Sequence, residues 1–439
     1  MNIYYYTFGC KVNQYETENI KELMEKHGFV TTKEISVCDI AIINTCTVTS
    51  RSDLKCRQLI HKIKRENPNS ILVLTGCFPQ AFAEDAENIH ECDIITGSSN
   101  KTKIPDYIDE FLVHRHRIIN IPPHKKNEKF EEMSNQKVSD KTRAYMKIQD
   151  GCDQYCTYCI IPYARGHIRS KSLLDIKNEA LILANAGHKE IVVVGINLCC
   201  YGKDFNDGTR LVDAVELICN TVPQCRVRLG SIEPEMISDE DIKRLSNLKN
   251  LCPQFHLSLQ SGCDKTLKAM NRKYSTAEYN ELCDKLRVNF KDCALTTDIM
   301  VGFAAETDED FLESLEFVKS IGFSKVHIFP YSARSGTVAA KRNDQVVKSV
   351  KEQRANKMAT VCSKERKIFL EGLIGRVFPV LFEKENSDKY HQGYTANYTQ
   401  VKVPRKSKEI TLRKQIFNVK ITSVEKDFCF GEIVEEEYE

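Results

Sequence analysis

The sequence predicts an α/β protein in three units: an open parallel α/β sheet at the amino end, a partial barrel of six β/α units, and a small β-barrel at the carboxyl end. Three observations carry this. Residues 1 to about 100 alternate short apolar strands with helix-like stretches, six further strand–helix pairs follow the first linker-like segment, and the stretch from about 371 onward holds only short strand-like pieces.

In the first unit the strands fall at 3–6, 40–44, 71–75 and 94–96, and their alternation with helical stretches argues for parallel βαβ units. Cys10, Cys46 and Cys77 each stand just past the carboxyl end of one of the first three strands. In open α/β sheets that edge binds ligands, so three cysteines far apart in sequence are expected to meet there. The pattern dissolves from about 101 to 142, where Pro122-Pro123 opens a stretch rich in Lys, Glu, Asn and Ser that reads as a solvated linker. The expected division is a domain at 1–115, a linker at 116–138, a central domain at 139–370 and a last domain at 371–439.

The central strands are expected at 145–148, 191–194, 226–229, 254–259, 295–301 and 325–329, with helices at 173–186, 211–219, 277–288 and 308–321. Six units suit a partial barrel with its chemistry at the carboxyl ends of the strands. The last unit offers strand-like pieces at 377–381, 398–403, 410–412, 417–421 and 429–433. Its segment 401–420 carries Lys402, Arg405, Lys406, Lys408, Arg413, Lys414 and Lys420 against Glu409 alone, with Tyr394, Tyr398 and Phe417 nearby. Such a segment suits an RNA platform or, as readily on charge alone, a solvated barrel surface.

Composition narrows the class. With 41% hydrophobic and 28% charged residues the chain has the make-up of a soluble globular protein, and no apolar run approaches the roughly 18 residues of a membrane helix. The amino-terminal residues lack the pattern of a signal peptide, so a cytoplasmic location and no membrane partner are expected. Nineteen cysteines, an odd number, favour metal ligation or burial over a disulfide framework in an intracellular chain. A net charge of +2 leaves nucleic-acid binding to local patches.

The loop after the first central strand, Cys152-Asp153-Gln154-Tyr155-Cys156-Thr157-Tyr158-Cys159, places three thiolates on one tight segment. Three ligands on a four-iron cluster leave one iron open for a substrate. A structural zinc site would want a fourth ligand, and the nearest candidate, His167, lies beyond Pro162 and Arg165-Gly166.

This triplet, with Tyr158 before its last cysteine, resembles the radical S-adenosylmethionine superfamily. The resemblance implies that the methionine amino and carboxylate groups chelate the open iron, and that an electron from the cluster cleaves the sulfonium to a 5'-deoxyadenosyl radical. Thr7-Phe8-Gly9-Cys10-Lys11-Val12-Asn13-Gln14, Asn44-Thr45-Cys46-Thr47-Val48-Thr49 and Thr75-Gly76-Cys77 are similar to the amino-terminal domain of the methylthiotransferases. There the matching cysteines hold a second [4Fe-4S] cluster that supplies or carries the inserted sulfur. Gly393-Tyr394-Thr395-Ala396-Asn397-Tyr398 resembles the RNA-binding TRAM domain of the same enzymes. The fold implied is an open α/β domain, a partial (β/α)6 TIM-like barrel and a small OB-like β-barrel.

Within the barrel the resemblance implies S-adenosylmethionine contacts from Tyr158, Gly195, Asn197, Ser231, Glu233, Met300 and Gly302. Taken singly, each of these stretches reads equally as barrel packing or a turn. Ile148-Gln149-Asp150-Gly151-Cys152, Ile161-Pro162-Tyr163-Ala164-Arg165-Gly166, Leu257-Ser258-Leu259-Gln260-Ser261-Gly262, Asn271-Arg272-Lys273-Tyr274 and Tyr331-Ser332-Ala333-Arg334-Ser335-Gly336-Thr337 most resemble the bacterial branch acting on N6-threonylcarbamoyladenosine (t6A). That implies a transferase converting t6A at position 37 of tRNA to its 2-methylthio derivative (ms2t6A). Its partners would be the anticodon stem-loop and an electron donor such as a flavodoxin or ferredoxin. The rivals are a sister enzyme for isopentenyladenosine-37 or a ribosomal-protein aspartate and, from another class, a non-enzymatic iron-sulfur RNA-binding protein. Two departures stand out: Ala304-Ala305 occupies a place where the family shows Pro-Gly, and Cys199-Cys200 one where Gly-Ser is common. Buried thiols are the preferred reading of the latter pair over extra ligands or persulfide carriers.

Overall fold

The computed structural model describes residues 1–133, 141–383, 389–405, 407 and 410–434. Six parallel strands build the first unit: β1 (Asn2–Thr7), β2 (Val30–Thr32), β3 (Ile40–Thr45), β4 (Ile71–Gly76), β5 (Ile94–Thr96) and β6 (Ile118–Asn120). Their order is β2-β1-β3-β4-β5-β6, so the chain reverses direction across the sheet between β1 and β3. Every residue of β3 and β4 is buried, which is why both read as unbroken apolar runs. On one face Ile20 and Met24 of helix α1 (Lys11–Lys26) pack against Ile3, Ile40 and Ile42. On the other, Ile60 and Ile63 of α2 (Ser50–Glu66) meet Ala41, Ile43 and Leu72.

The segment expected to dissolve after 101 does not. Residues Ile104–His114 form a helix, and β6 pairs in parallel with β5, so the expected linker opens with an edge strand of the sheet. Three residues in a charged context are too few to show a periodicity. Of that linker, 134–138 lie outside the described residues, as does residue 139.

The central wall runs β7 (Arg143–Lys147), β10 (Glu190–Val194), β11 (Arg226–Leu229), β12 (Ser231–Ile232), β13 (Gln254–Leu257), β14 (Ala294–Val301) and β15 (Lys325–Pro330), all parallel. Strands β11 and β12 are one line of chain broken at Gly230, which leaves six units. A small antiparallel pair, β8 (Gln149–Asp150) with β9 (Arg169–Ser170), brackets the cysteine loop. Helices at Leu173–Asn185, Leu211–Thr221, Thr276–Asn289 and Asp308–Ile321 stand near the expected positions and cover the wall through one large apolar cluster. The helix Lys348–Glu371 leads into the last unit.

That unit is a closed barrel of β16 (Val377–Phe382), β17 (Tyr390–Thr395), β18 (Gln400–Pro404), β19 (Ile416–Glu425) and β20 (Phe428–Ile433), in the order β16-β17-β18-β20-β19. Strand β17 was not expected, because its inward residues are His391, Gly393 and Thr395 rather than large apolar ones. Residues 410–412, expected as a strand, are irregular and lead into the turn before β19. Tyr398, expected to open a strand, holds a left-handed φ of 66° in the turn before β18.

Candidate active site

Cys10 and Cys46 follow β1 and β3, the two strands flanking the reversal of strand order, and Cys77 follows β4. The crevice at such a reversal is where open α/β sheets bind ligands. Gly9 and Gly76, one residue ahead of Cys10 and Cys77, have φ of 106° and 104°. A Cβ on Gly9 would lie 2.6 Å from Cys46 Cβ, and one on Gly76 would lie 2.5 Å from both Asn44 Oδ1 and Thr45 O, so only glycine lets the three chain segments close in. Burial pushes the Cys46 thiol up to about 12, and the adjoining Cys77 and Cys10 add to the shift. Burial raises Cys77 as well, against the opposing charge of Arg165.

The second triplet lies on the loop between β8 and β9. Burial raises Cys152 and Cys159, the latter to about 12, and Cys156 acts on both. Asn197 Nδ2 lies 3.9 Å from Cys152 Sγ, and Arg272 Nη1 donates to Cys156 Sγ at 3.5 Å. Among the described residues, the only His, Cys, Asp or Glu set with ligand atoms all within 4.8 Å of one another is His256, Asp298 and His327. Neither cysteine triplet meets that spacing, while the thiols within each triplet act on one another electrostatically.

One side chain ties the barrel to the first site. The short helix Ile161–Arg165 begins two residues after Cys159, and its last residue, wholly buried, donates from Nε to Cys77 Sγ at 3.1 Å. Arg165 also binds Asn13 Oδ1 at 3.0 Å and both carboxylate oxygens of Glu16 on α1. Lys147 and Lys101 approach the same carboxylate at 3.2 and 3.5 Å. Burial alone would raise Glu16, but Arg165, then Lys101 and Lys147, hold it at about 2. None of Glu16, Lys101, Lys147 or Arg165 had been singled out as a site residue. Glu16 did leave a signal, since it interrupts the i, i+4 apolar stripe Val12, Ile20, Met24.

The residues expected to meet S-adenosylmethionine gather at the carboxyl ends of the strands. Gly195 and Asn197 follow β10, with the Asn197 amide held by Gln149 Oε1 at 2.8 Å. Asn197 Oδ1 is buried beside Cys152 and has no hydrogen-bond partner among the described residues. Such an acceptor costs about 1–3 kcal/mol unless something donates to it, and an amino N–H would. Ser231 opens β12, and Glu233 follows it, paired with Arg272, whose Nη2 also donates to Ser258 O at 3.0 Å. Burial raises Glu233 against the pull of Arg272. Met300 lies near the end of β14, Gly302 follows with a φ of 68°, and the Tyr158 ring meets Phe303 edge-on. Cys199 and Cys200 are buried thiols, Cys199 accepting from the Glu233 amide at 3.3 Å.

The first unit reaches into the barrel: Val12, two residues after Cys10, packs against Val192 and Val194 of the inner wall. Beside that contact a cleft of about 360 Å³ is lined by Lys11, Arg143, Tyr145, Arg228, Tyr398 and Arg413, among others. Two of the three aromatic residues expected on an RNA platform, Tyr394 and Tyr398, hold the last barrel to the centre, while Phe417 packs on Phe382 within it. Arg143 stacks over Tyr394 and Tyr398 at 4.6 and 5.0 Å, and Arg228 over Tyr398 at 4.4 Å. Of the expected RNA contacts, Arg413 faces the cleft, Lys414 acts on His188, Lys402 covers the Phe428 ring and Arg405 binds Ile410 O. Lys406 and Lys408 lie outside the described residues.

Comparison with known proteins agrees with this layout. The Radical SAM superfamily matches residues 146–318, and Uncharacterized protein family UPF0004 matches residues 2–97. The chain is 36% identical over 434 residues to the threonylcarbamoyladenosine tRNA methylthiotransferase MtaB of Bacillus subtilis, covering 98% of this chain and 96% of that one. It is 39% identical to the protein of the same name from Thermotoga maritima, over 86% of this chain and 85% of that one. With a tRNA-2-methylthio-N(6)-dimethylallyladenosine synthase from Thermoanaerobacter it shares 35% identity, over 99% and 93% of the two chains. A solved structure of the radical S-adenosylmethionine methyltransferase TsrM from Kitasatospora setae shares the fold, with a TM-score of 0.57 at 11% identity over 77% of this chain and 75% of that one. The chain belongs to the radical S-adenosylmethionine tRNA methylthiotransferases, enzymes that transfer a sulfur-containing group using S-adenosylmethionine and two [4Fe-4S] clusters.

Proposed function

We propose that this enzyme converts t6A at position 37 of tRNA to ms2t6A. One observation supports sulfur insertion: buried Arg165, six residues past Cys159, donates to Cys77 of the other triplet, and Val12, two residues past Cys10, packs on the barrel wall. The t6A branch is favoured by the names of the Bacillus and Thermotoga relatives.

In this reading Cys152, Cys156 and Cys159 hold the radical-forming cluster, and Cys10, Cys46 and Cys77 hold the sulfur-bearing one. With S-adenosylmethionine bound, the first cluster would supply a 5'-deoxyadenosyl radical for removal of the adenosine C2 hydrogen and the second the sulfur, a second S-adenosylmethionine giving the methyl group. Asn197 Oδ1 accepts a hydrogen bond from the methionine amino group, which relieves its orphaned state. Gly195 keeps the backbone clear at the same spot, since a Cβ there would lie 2.9 Å from Gln149 Oε1. Glu233 and Ser231 accept from the ribose hydroxyls, Arg272 fixing the Glu233 carboxylate, while Tyr158, Met300 and Gly302 line the adenine. Lys402, Arg405, Arg413 and Lys414, with Lys406 and Lys408 of the same segment, attract the tRNA backbone.

A flavodoxin- or ferredoxin-type donor reduces the clusters, and a tRNA substrate makes the cytoplasm the place of action; among the described residues no helix is long and apolar enough to cross a membrane. The functional division we adopt is a sulfur-carrying unit through β6, a radical unit from 141 to about 370, and an RNA-binding unit from about 371.

Nucleoside mass spectrometry of tRNA from a deletion strain tests the substrate: ms2t6A should vanish while t6A accumulates. An undiminished ms2t6A level removes the proposal. Anaerobic reconstitution with S-adenosylmethionine and reductant should yield 5'-deoxyadenosine, a product that a mere RNA-binding module cannot form.

A further inference from the structure

Side chains alternate along each barrel strand, so one set faces the lumen and the other the surrounding helices. Ile299 and Val301 belong to the outer apolar cluster, which assigns Thr296, Asp298 and Met300 to the lumen. His256 Nδ1 lies 3.1 Å from Thr296 Oγ1 and its Nε2 lies 3.4 Å from Asp298, which gives it the same face on β13. His327, beside Asp298 on β15, is exposed, as is Lys325 two residues earlier. His256, Asp298 and His327 thus converge on one point of the lumen, with the positive charges of Lys325 and Lys11 acting on His327.

This layer lies two residues, or roughly 7 Å, below Met300, the residue assigned to the adenine. A nucleoside whose C2 faces the radical at the strand ends must place its N6 substituent elsewhere, and the deeper lumen is polar and cationic. A hydrocarbon substituent lodged there would strip water from two imidazoles, a carboxylate and two ammonium groups without replacing a hydrogen bond. A threonylcarbamoyl group brings a carboxylate for the cations, a hydroxyl for Asp298 and a ureido group for the imidazoles.

We propose that His256, Asp298 and His327, with Lys11 and Lys325, form the subsite for an anionic, hydroxyl-bearing N6 substituent and so determine substrate choice. The assignment rests on the t6A reading above. Sites built to bond a polar group reject analogues lacking it far more strongly than apolar pockets reject extra groups.

The test uses full-length, cluster-loaded enzyme and anticodon stem-loops carrying t6A, isopentenyladenosine or plain adenosine at position 37. The wild type should thiomethylate the t6A loop, and H327L should bind it at least tenfold more weakly while binding the plain-adenosine loop as before. K325L, at an exposed position, should show the same selective loss to a smaller degree. A wild type that acts on isopentenyladenosine and not on t6A refutes the substrate reading. A wild type that acts on t6A, with H327L and K325L losing affinity for all three loops alike or for none, refutes the subsite alone. A stoichiometric Co²⁺ absorption band that disappears in H327L would likewise replace the subsite with a metal site.

Discussion

Replacing Glu16 by glutamine removes one charge and almost no volume from the buried joint between the first unit and the barrel. In the wild type that carboxylate faces Arg165, Lys147 and Lys101, all buried. The variant leaves three cations to Asp150, which already serves Lys147 and Arg165 at 3.0 and 3.5 Å. Breaking a buried pair from one side costs about 3–5 kcal/mol. Linkage gives a second route: holding the Glu16 carboxyl at about 2 instead of 4.5 contributes roughly 3 kcal/mol at neutral pH. The two agree, so with a urea dependence of about 3 kcal/mol per molar the midpoint at pH 7 should fall by about 1 M. Since the folded value is depressed, this stability is complete above the unfolded value and fades as pH drops from 4.5 toward 2, so wild type and variant should converge there. The chain has no tryptophan, so far-ultraviolet circular dichroism of cluster-free protein is the suitable assay. A midpoint within about 0.2 M of wild type at pH 7 would show that Lys101 and Lys147 do not depend on Glu16, and would refute the reasoning.

Other perturbations follow from the same geometry. Arg165→Leu removes a cationic donor from Cys77 Sγ, so on a background lacking Cys152, Cys156 and Cys159 the reduction potential of the remaining cluster should drop, as read by EPR-monitored titration; an unchanged potential argues against the contact. Asn197→Ala should weaken S-adenosylmethionine binding about tenfold in equilibrium dialysis, the loss expected for one hydrogen bond. Ala305 sits at a φ of 64°, so Ala305→Gly should stabilise the protein by about 0.5–1 kcal/mol and raise its melting temperature; a lowered one contradicts the strain argument.

That last residue shows how the sequence can be read closely. The Pro-Gly missing at Ala304-Ala305 was visible as a departure, and the backbone still makes the left-handed turn, with the Ala305 amide donating to Asp344 O at 2.9 Å. The parallel strands were legible because burial on both faces writes them as apolar runs, and the six cysteines because each follows a strand or sits in a tight triplet. Strand β17 was not, since the small barrel fills its inner face with His391, Gly393 and Thr395. Nor were the buried charges, which occupy positions where Lys, Arg and Glu ordinarily point to water. Charge counting over 401–420 found the basic residues but not their directions, because the turn before β19 carries Arg413 to the cleft and Lys414 toward His188.

The directions matter for how a stem-loop fits. The last barrel is held by Arg143 and Arg226, the first residues of β7 and β11; Arg226 donates to Pro379 O at 2.8 Å and to Tyr394 O at 3.2 Å. It therefore docks at the amino ends of the strands, while the cysteine loop and Asn197 lie at their carboxyl ends. A strand of five residues such as β10 separates the two by roughly 16 Å. A single nucleotide bound by both the basic segment and the cluster region would have to span that gap, which one base cannot do. A stem-loop can, and under the proposed function its backbone would lie on the last barrel while one splayed base passes the Lys11–Arg228 cleft into the lumen. On the other side Arg165 joins the first unit to the barrel through its buried bonds to Cys77 and Glu16, and this joint forms the facing wall of that path.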